Sequence, residues 1–242
     1  MSWGQLPDGV PVLELVSAKD RKRIASSCRW REFESEASIL EAGGEDTDVH
    51  FIAKGSVRIV SYSPSGRFVA FAALGPGDFF GELAALDNQP RSATVLAQTA
   101  VTIASVPADE FLHAVTHNPS AAAFVMRRLA GIVRSADQRI IDLSFLSASQ
   151  RVGLELLKMS EPDPEVEGGW RIDPLPTQNS LAATLGVTRE TVARIFGKLQ
   201  ETSIIERRSG SVLRINNRHH LERLAVTDIG EGTQVLQWET KG

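Results

Sequence analysis

The chain has 242 residues, enough for two domains with separate cores, and 42% hydrophobic residues, an ordinary share for a globular protein. Its single cysteine, Cys28, excludes an intrachain disulfide and any four-cysteine zinc or iron–sulfur site, and is expected to pack as a small buried hydrophobe. A net charge of −4 excludes coating nucleic acid by bulk charge; with no bilayer-length apolar run and no signal-peptide pattern, the expectation is a cytoplasmic protein without membrane contact.

From about Val10 to Ser27, apolar residues recur at helical spacing. Between Trp30 and Pro107 the pattern changes to short β-branched or alternating runs: Val49–Ala53, Ser56–Tyr62, Phe68–Leu74, Thr94–Ala97 and Ala100–Val106. Turns such as Ser63-Pro64-Ser65-Gly66 and Gly75-Pro76-Gly77-Asp78 separate them. Many short strands with Gly/Pro turns predict a small barrel or sandwich, here a jelly-roll-like β-roll.

The stretch Phe79 to Ala93 within this region reads as a cradle for a phosphorylated sugar. Gly81 lets the backbone come close to a ligand, and Glu82-Leu83-Ala84 reads as a short helical turn with free N–H groups. Arg91 offers a planar fork for two phosphate oxygens, and Ser92 adds a hydroxyl beside it, followed by the small Ala93. Glu82 would oppose a phosphate unless the ligand also offers a donor, as a ribose 2′-OH does. A carboxylate for the sugar and a guanidinium for the phosphate ask for a nucleotide. The alternative for Glu82 and Arg91 is a surface ion pair with nothing bound.

After Pro107 the helical period returns, and a long helix is predicted from Pro119 to about Ser147. Met126, Leu129, Val133, Ala136, Ile140 and Leu143 are spaced 3, 4, 3, 4 and 3, a heptad seam that favours a two-fold dimer. Phe124, Val125, Ile132 and Ile141, on neighbouring faces, are expected to pack in part on the barrel. Ser147 can cap a further helix through Gln150 to Met159, and the acidic, proline-punctuated Glu161–Gly169 reads as a surface loop. The residues from Gly230 to Gly242 read as a loosely held tail.

A second motif follows. Thr177-Gln178 opens a short helix to Leu185, Gly186 supplies a tight turn, Val187 plugs the angle, and Thr188 N-caps a basic helix from Arg189 to Leu199. Ile204 to Arg208 and Val212 to Ile215 form a wing around a glycine turn. Between Trp170 and Asn216 the basic residues Arg171, Arg189, Arg194, Lys198, Arg207, Arg208 and Arg214 face only Asp173, Glu190, Glu201 and Glu206. This is a winged helix-turn-helix. Arginine pairs with guanine O6 and N7 and glutamate accepts from cytosine N4, so Arg189, Glu190 and Arg194 are the base readers. Thr188 and Thr191 suit phosphates, joined by Thr177, Gln178, Lys198 and Arg208.

These motifs resemble the cAMP receptor protein (catabolite activator) family of bacterial transcription regulators. The resemblance spans roughly residues 10 to 220 and rests on Lys54-Gly55-Ser56-Val57, Gly77-Asp78-Phe79-Phe80-Gly81-Glu82-Leu83, Arg91-Ser92-Ala93 and Arg189-Glu190-Thr191-Val192-Ala193-Arg194. It implies that Glu82 takes the ribose 2′-OH, that Arg91 and Ser92 take the cyclic phosphate, and that Ile59 and Phe71 pack near sugar and base. It also implies half-sites similar to TGTGA in a palindromic double-stranded operator, and an RNA polymerase partner facing the Glu161–Gly169 loop. The family's Thr-Ser pair that contacts adenine from both subunits aligns here with Ala136 and Asp137. Alanine cannot bond a base, and aspartate accepts from adenine or guanine alike. cAMP therefore stands first as effector and cGMP second, with no resident cofactor.

The expected architecture is α+β: a cyclic-nucleotide-binding β-roll over 1–118, a dimerisation helix over 119–146, a winged helix-turn-helix over 147–220 and an extension over 221–242. In the expected mechanism the nucleotide biases a two-state dimer through a hinge at Phe145–Ser149, setting two recognition helices in successive major grooves. A sensor of haem or another small effector on the same fold and a nucleotide-independent regulator are the alternatives, with two further classes beside them. A haem sensor would draw ligands from His50, His113, His117, His219 or His220, of which His113 and His117 stand at i, i+4. A nucleotide-cleaving enzyme would need a base beside Ser92, which the cassette lacks. A docking subunit would bind nucleotide and no DNA.

Overall fold

A computed structural model describes residues 6–62, 68–208 and 211–226. The turn at Ser63–Gly66, the wing turn at Ser209-Gly210 and the tail from Gly230 lie outside them. The chain divides into two compact units, residues 1–135 and 136–242.

In the first unit, Pro11 opens a single turn, α1 (Pro11–Glu14), and the Ser17 hydroxyl caps α2 (Ala18–Ser27) by accepting from the Asp20 N–H at 3.1 Å. The apolar stretch from Val10 is thus two helices meeting at a serine cap. Among the described residues eight strands follow: β1 (Arg29–Phe33), β2 (Ser38–Leu40), β3 (Val49–Lys54), β4 (Val57–Tyr62), β5 (Phe68–Leu74), β6 (Phe79–Phe80), β7 (Thr94–Ala97) and β8 (Val101–Val106). They form two antiparallel four-stranded sheets, β1-β8-β3-β6 and β2-β7-β4-β5. A six-residue helix, α3 (Glu82–Asp87), interrupts the strands between β6 and β7.

Strand β3 is buried on both faces, which is why its sequence reads as a continuous run with little alternation. Val49 and Phe51 point toward the helices, where Phe51, Phe79 and Phe111 pack with ring centroids 5.8–6.3 Å apart. Ile52 points between the sheets with Phe80, Ile103, Val57 and Val95. Helix α4 (Ala108–His117) and the first half of α5 (Pro119–Phe145) close the first core through Phe111, Ala121 and Val125. Cys28 is buried in the same core.

The seam on α5 divides. Leu129 is half-buried and packs on the first core, whereas Met126, Val133, Ile140 and Leu143 are exposed. Ile132 and Ile141, expected to pack in part on the barrel, are exposed too, at 43% and 48%. The apolar face is therefore wider than a two-position seam.

In the second unit a capping box starts α6 (Ala148–Met159): the Gln150 N–H donates to Ser147 Oγ at 3.3 Å and the Ser147 N–H to Gln150 Oε1 at 2.8 Å. Thr177 and Thr188 cap α7 (Gln178–Leu185) and α8 (Arg189–Glu201) as expected. Gly186 joins them in the left-handed region at φ 65°, and a Cβ there would sit 3.3 Å from a Leu143 methyl. Among the described residues the sheet has four strands rather than two. β9 (Glu161–Pro162) and β10 (Trp170–Ile172) extend the wing pair β11 (Ile205–Arg207) and β12 (Leu213–Ile215) in the order β11-β12-β10-β9. The Glu161–Gly169 stretch is thus partly a sheet edge, pinned by Asp163, which accepts from Arg214 at 3.0 Å. Helix α9 (Arg218–Val226) runs across the expected boundary at 220, with Leu221, Leu224 and Ala225 buried, the two leucines in the core beneath α6 and α8.

Candidate nucleotide site and nucleic-acid interface

The cassette begins where β6 ends. Gly81 takes φ 84°, a left-handed conformation that turns the chain into α3 and brings its carbonyl onto Arg91. Glu82 follows and is buried to 6% exposure. Burial pushes its carboxyl pKa up, against a hydrogen bond from its own N–H and the nearby positive charges of Arg128 and Arg91. A buried carboxylate that, among the described residues, is held by its own N–H alone has acceptor capacity left for a ligand hydroxyl. Ala84 is buried as well, while Leu83, at 39% exposure, lies at the surface.

Arg91 is buried to 5%, and its fork is more engaged than two free edges for phosphate would require. Nε and Nη2 donate to the two oxygens of Asp46 at 3.1 and 2.8 Å, Nη1 donates to the Gly81 carbonyl at 2.8 Å, and Nη2 to the Asp48 carbonyl at 2.7 Å. Asp46 thus occupies one edge of the fork that the sequence reading gave to two phosphate oxygens. Burial opposes the Asp46 carboxylate, yet hydrogen bonds from Arg91 and the Asp48 N–H hold its pKa below the usual range. Ser92 is exposed and Ala93 half-buried beside it.

His50 lies behind the guanidinium. It faces Ser105 across β8 and Phe80 across β6, so its Nδ1 pairs with Ser105 Oγ at 2.9 Å and its ring lies 5.1 Å from that of Phe80. Nε2 stands 3.4 Å from Arg91 Nη2. Burial, and then the Arg91 charge, push its pKa down to about 4, so the ring is neutral at pH 7. Arg128 on α5 completes the group: it donates to the Phe79 carbonyl at 2.7 Å, stacks over the Phe79 ring at 4.4 Å and pairs with Asp78 at 3.5 Å. Sequence reasoning missed Asp46 and Arg128 and weighed His50 only as a metal ligand. The available signal was the alternation Asp46, Asp48, His50 leading into a β-strand.

Of the other expected ligand residues, Ile59 is half-buried against the inter-sheet core and Phe71 is 56% exposed on β5. Ala136 and Asp137 are exposed on α5. His113 and His117 stack at 4.0 Å, but His117 Nδ1 is 2.8 Å from the His113 carbonyl, and His113 Nε2 lies 3.6 Å from Asp20. Among the described residues no group of three or more His, Cys, Asp or Glu is placed to hold a metal ion.

On the second unit, Arg189, Glu190, Arg194 and Lys198 are exposed along α8, whose other side buries Val192, Ile195, Phe196 and Leu199. Among the described residues none of these four forms an ion pair. The wing is different. Arg171 pairs with Glu161 and Asp173, Arg214 with Asp163 and Glu165, and Arg208 with Glu206, so much of the basic excess read from the sequence is neutralised locally. Thr177 is exposed and Gln178 half-buried; the Thr188 and Thr191 hydroxyls lie 3.0 Å apart at the helix start.

Comparison with known proteins agrees with both halves. Residues 30–118 match the cyclic nucleotide-binding domain family and residues 150–224 the Crp-like helix-turn-helix domain. A CRP-like cAMP-activated global transcriptional regulator of Mycobacterium tuberculosis is 31% identical over 186 residues, covering 76% of this chain and 83% of the relative. The cAMP-activated global transcriptional regulator CRP of Haemophilus influenzae is 25% identical over 179 residues, covering 74% and 80%. In fold, a mutant CooA from Carboxydothermus hydrogenoformans superposes with a TM-score of 0.72 at 20% identity, covering 93% of this chain and all of that one. A β-roll with a nucleotide cassette, a long helix with an apolar face and a winged helix-turn-helix with a free basic reading face thus meet in one chain, which belongs to the CRP family of cyclic-nucleotide-binding, DNA-binding transcription regulators.

Proposed function

We propose that this protein is a homodimeric, effector-gated transcription regulator of the cytoplasm, which binds a 3′,5′-cyclic mononucleotide and then a palindromic operator with TGTGA-like half-sites. cAMP is the first effector and cGMP the second. The observation that carries this reading is the pairing in one small volume of a buried carboxyl, Glu82, with a buried guanidinium, Arg91, nine residues on in the same cassette. The carboxylate suits a ribose hydroxyl and the guanidinium a phosphate. Asp137, an acceptor only, is the residue we assign to the base amino group. The two M. tuberculosis and H. influenzae relatives are cAMP-activated by name, which favours cAMP.

The exposed apolar stripe of α5 supports a two-fold dimer, and the uncompensated Arg189, Arg194 and Lys198 support a reading helix in the major groove. The nucleotide shifts the equilibrium between two arrangements only by its differential affinity for them. We assign the RNA polymerase contact to the Glu161–Gly169 edge. Calorimetric titration of the wild-type chain and Arg91→Ala with cAMP and cGMP tests the site. Saturable binding lost in the variant supports it, and equal binding by both proteins removes Arg91 from the site.

A further inference from the structure

Arginine has five N–H donors. In Arg91, Asp46 takes two, and the carbonyls of Gly81 and Asp48 take one each, so among the described residues one Nη1 hydrogen is left. The charge is met as well as the hydrogens. The Arg91 side chain is 3% exposed, while its ion-pair partner Asp46, at 2.8 Å, is 52% exposed, with its pKa held, against burial, below the usual carboxylate range by the Arg91 hydrogen bonds. Any anion placed on Arg91 therefore meets a cation already balanced along one edge, with a fixed negative charge one guanidinium away. Glu82 is a second acid that feels the Arg91 charge.

An unbalanced arginine in a buried site attracts a dianion more strongly than a monoanion. With Asp46 in place, that order inverts. A monoanion can settle on the remaining hydrogen and the neighbouring polar groups. A dianion brings a second charge that finds no donor on Arg91 and is repelled by the Asp46 carboxylate.

We propose that Asp46 is a specificity-determining residue, tuning the site to a singly charged phosphodiester and against the doubly charged phosphomonoester of a ring-opened 5′-mononucleotide. A phosphomonoester carries about −1.5 to −2 at pH 7. A cyclic mononucleotide and its hydrolysis product share base and sugar, so phosphate charge is one of the few features that separates signal from spent signal. This inference rests on the cyclic-nucleotide reading above.

The test displaces a fluorescent cAMP with three competitors: cAMP, 5′-AMP and the methyl ester of 5′-AMP, which is open-chain yet singly charged (the guanosine series serves if cGMP binds more tightly). The proteins are wild type, Asp46→Asn, Asp46→Ala and Asp46→Glu, each checked for fold by thermal melting. In wild type the methyl ester is expected to compete on the order of tenfold better than 5′-AMP. That ratio falls to near one, or reverses, in Asp46→Asn and Asp46→Ala, and Asp46→Glu restores it. Equal shifts for all three competitors overturn the inference and make Asp46 a rival or a brace for Arg91. A wild-type chain that treats the ester and 5′-AMP alike overturns it too, leaving ring shape as the discriminator. Absence of any cyclic-nucleotide binding by wild type removes the underlying reading as well, whereas normal cAMP binding with an unmoved ratio removes only the role of Asp46.

Discussion

Gly81 and Arg91 are fitted to each other: the Gly81 carbonyl accepts from Arg91 Nη1 at 2.8 Å, and a Cβ on residue 81 would fall 2.6 Å from that same nitrogen. Glycine is required twice over, by the left-handed φ of 84° and by the guanidinium above it. Gly81→Ala should cost about 1–2 kcal/mol of stability from the backbone alone and should displace Arg91. Thermal melting and nucleotide calorimetry together read both effects. A variant with unchanged melting and binding would mean that Arg91 is not seated as described.

Acid should weaken the first unit through His50. Its folded pKa of about 4 lies below the ordinary value of 6.5, so between those values the unfolded chain binds the proton and the folded one does not. Stability from this group is complete above pH 6.5 and is lost as pH falls toward 4, up to about 3 kcal/mol. Asp46, held below its usual range, acts in the same direction at lower pH. Urea denaturation at pH 7.5 and pH 5 should show the loss in wild type and a smaller one in His50→Gln.

Glu82 carries the opposite sign. Its raised pKa means that the folded state keeps a proton which the unfolded chain has released, so the ionised form destabilises the fold as pH rises above the ordinary glutamate range. Glu82→Gln should raise the melting temperature at neutral pH, with the gain vanishing in acid, while nucleotide affinity falls about tenfold for loss of a charge-assisted hydrogen bond. A variant that binds nucleotide as tightly as wild type would remove Glu82 from the sugar.

On DNA, Arg189→Ala should cost about 1–3 kcal/mol at one base pair and relax specificity there, while Lys198→Ala should weaken binding evenly across sequences and reduce its salt dependence. A set of operators substituted one position at a time separates the two patterns. Uniform loss in Arg189→Ala would reassign it to a phosphate.

The exposed stripe predicts its own disruption. On the proposed dimer, Val133→Asp or Ile140→Asp adds a charge to the stripe that carries Met126 and Leu143, and should convert that dimer to monomer in sedimentation equilibrium. Undiminished dimers would place the interface elsewhere.

The parts of the site carried by one contiguous stretch were legible in the sequence. Gly81, Glu82 and Arg91 lie within eleven residues of one another, and Thr177, Gly186 and Thr188 each announce a helix boundary by local chemistry. What escaped depends on register between distant segments. Asp46 reaches Arg91 across 45 positions, and Arg128 reaches Phe79 across 49, with no periodicity linking them. The two-residue strand Glu161–Pro162 is too short to alternate, so it read as loop. The local basic count between Trp170 and Asn216 misled for a related reason: Arg171 and Arg214 count toward a basic surface until their carboxylate partners Glu161 and Asp163, outside that stretch, are placed.

The central claim is that a cyclic nucleotide held between Glu82 and Arg91 licenses operator binding. Fluorescence anisotropy of a labelled palindromic operator, titrated with protein in the absence and presence of saturating cAMP or cGMP, measures it directly. The account predicts at least a tenfold tightening with one of the two nucleotides, abolished by Arg91→Ala. Operator affinity that is the same with and without every 3′,5′-cyclic mononucleotide would contradict it.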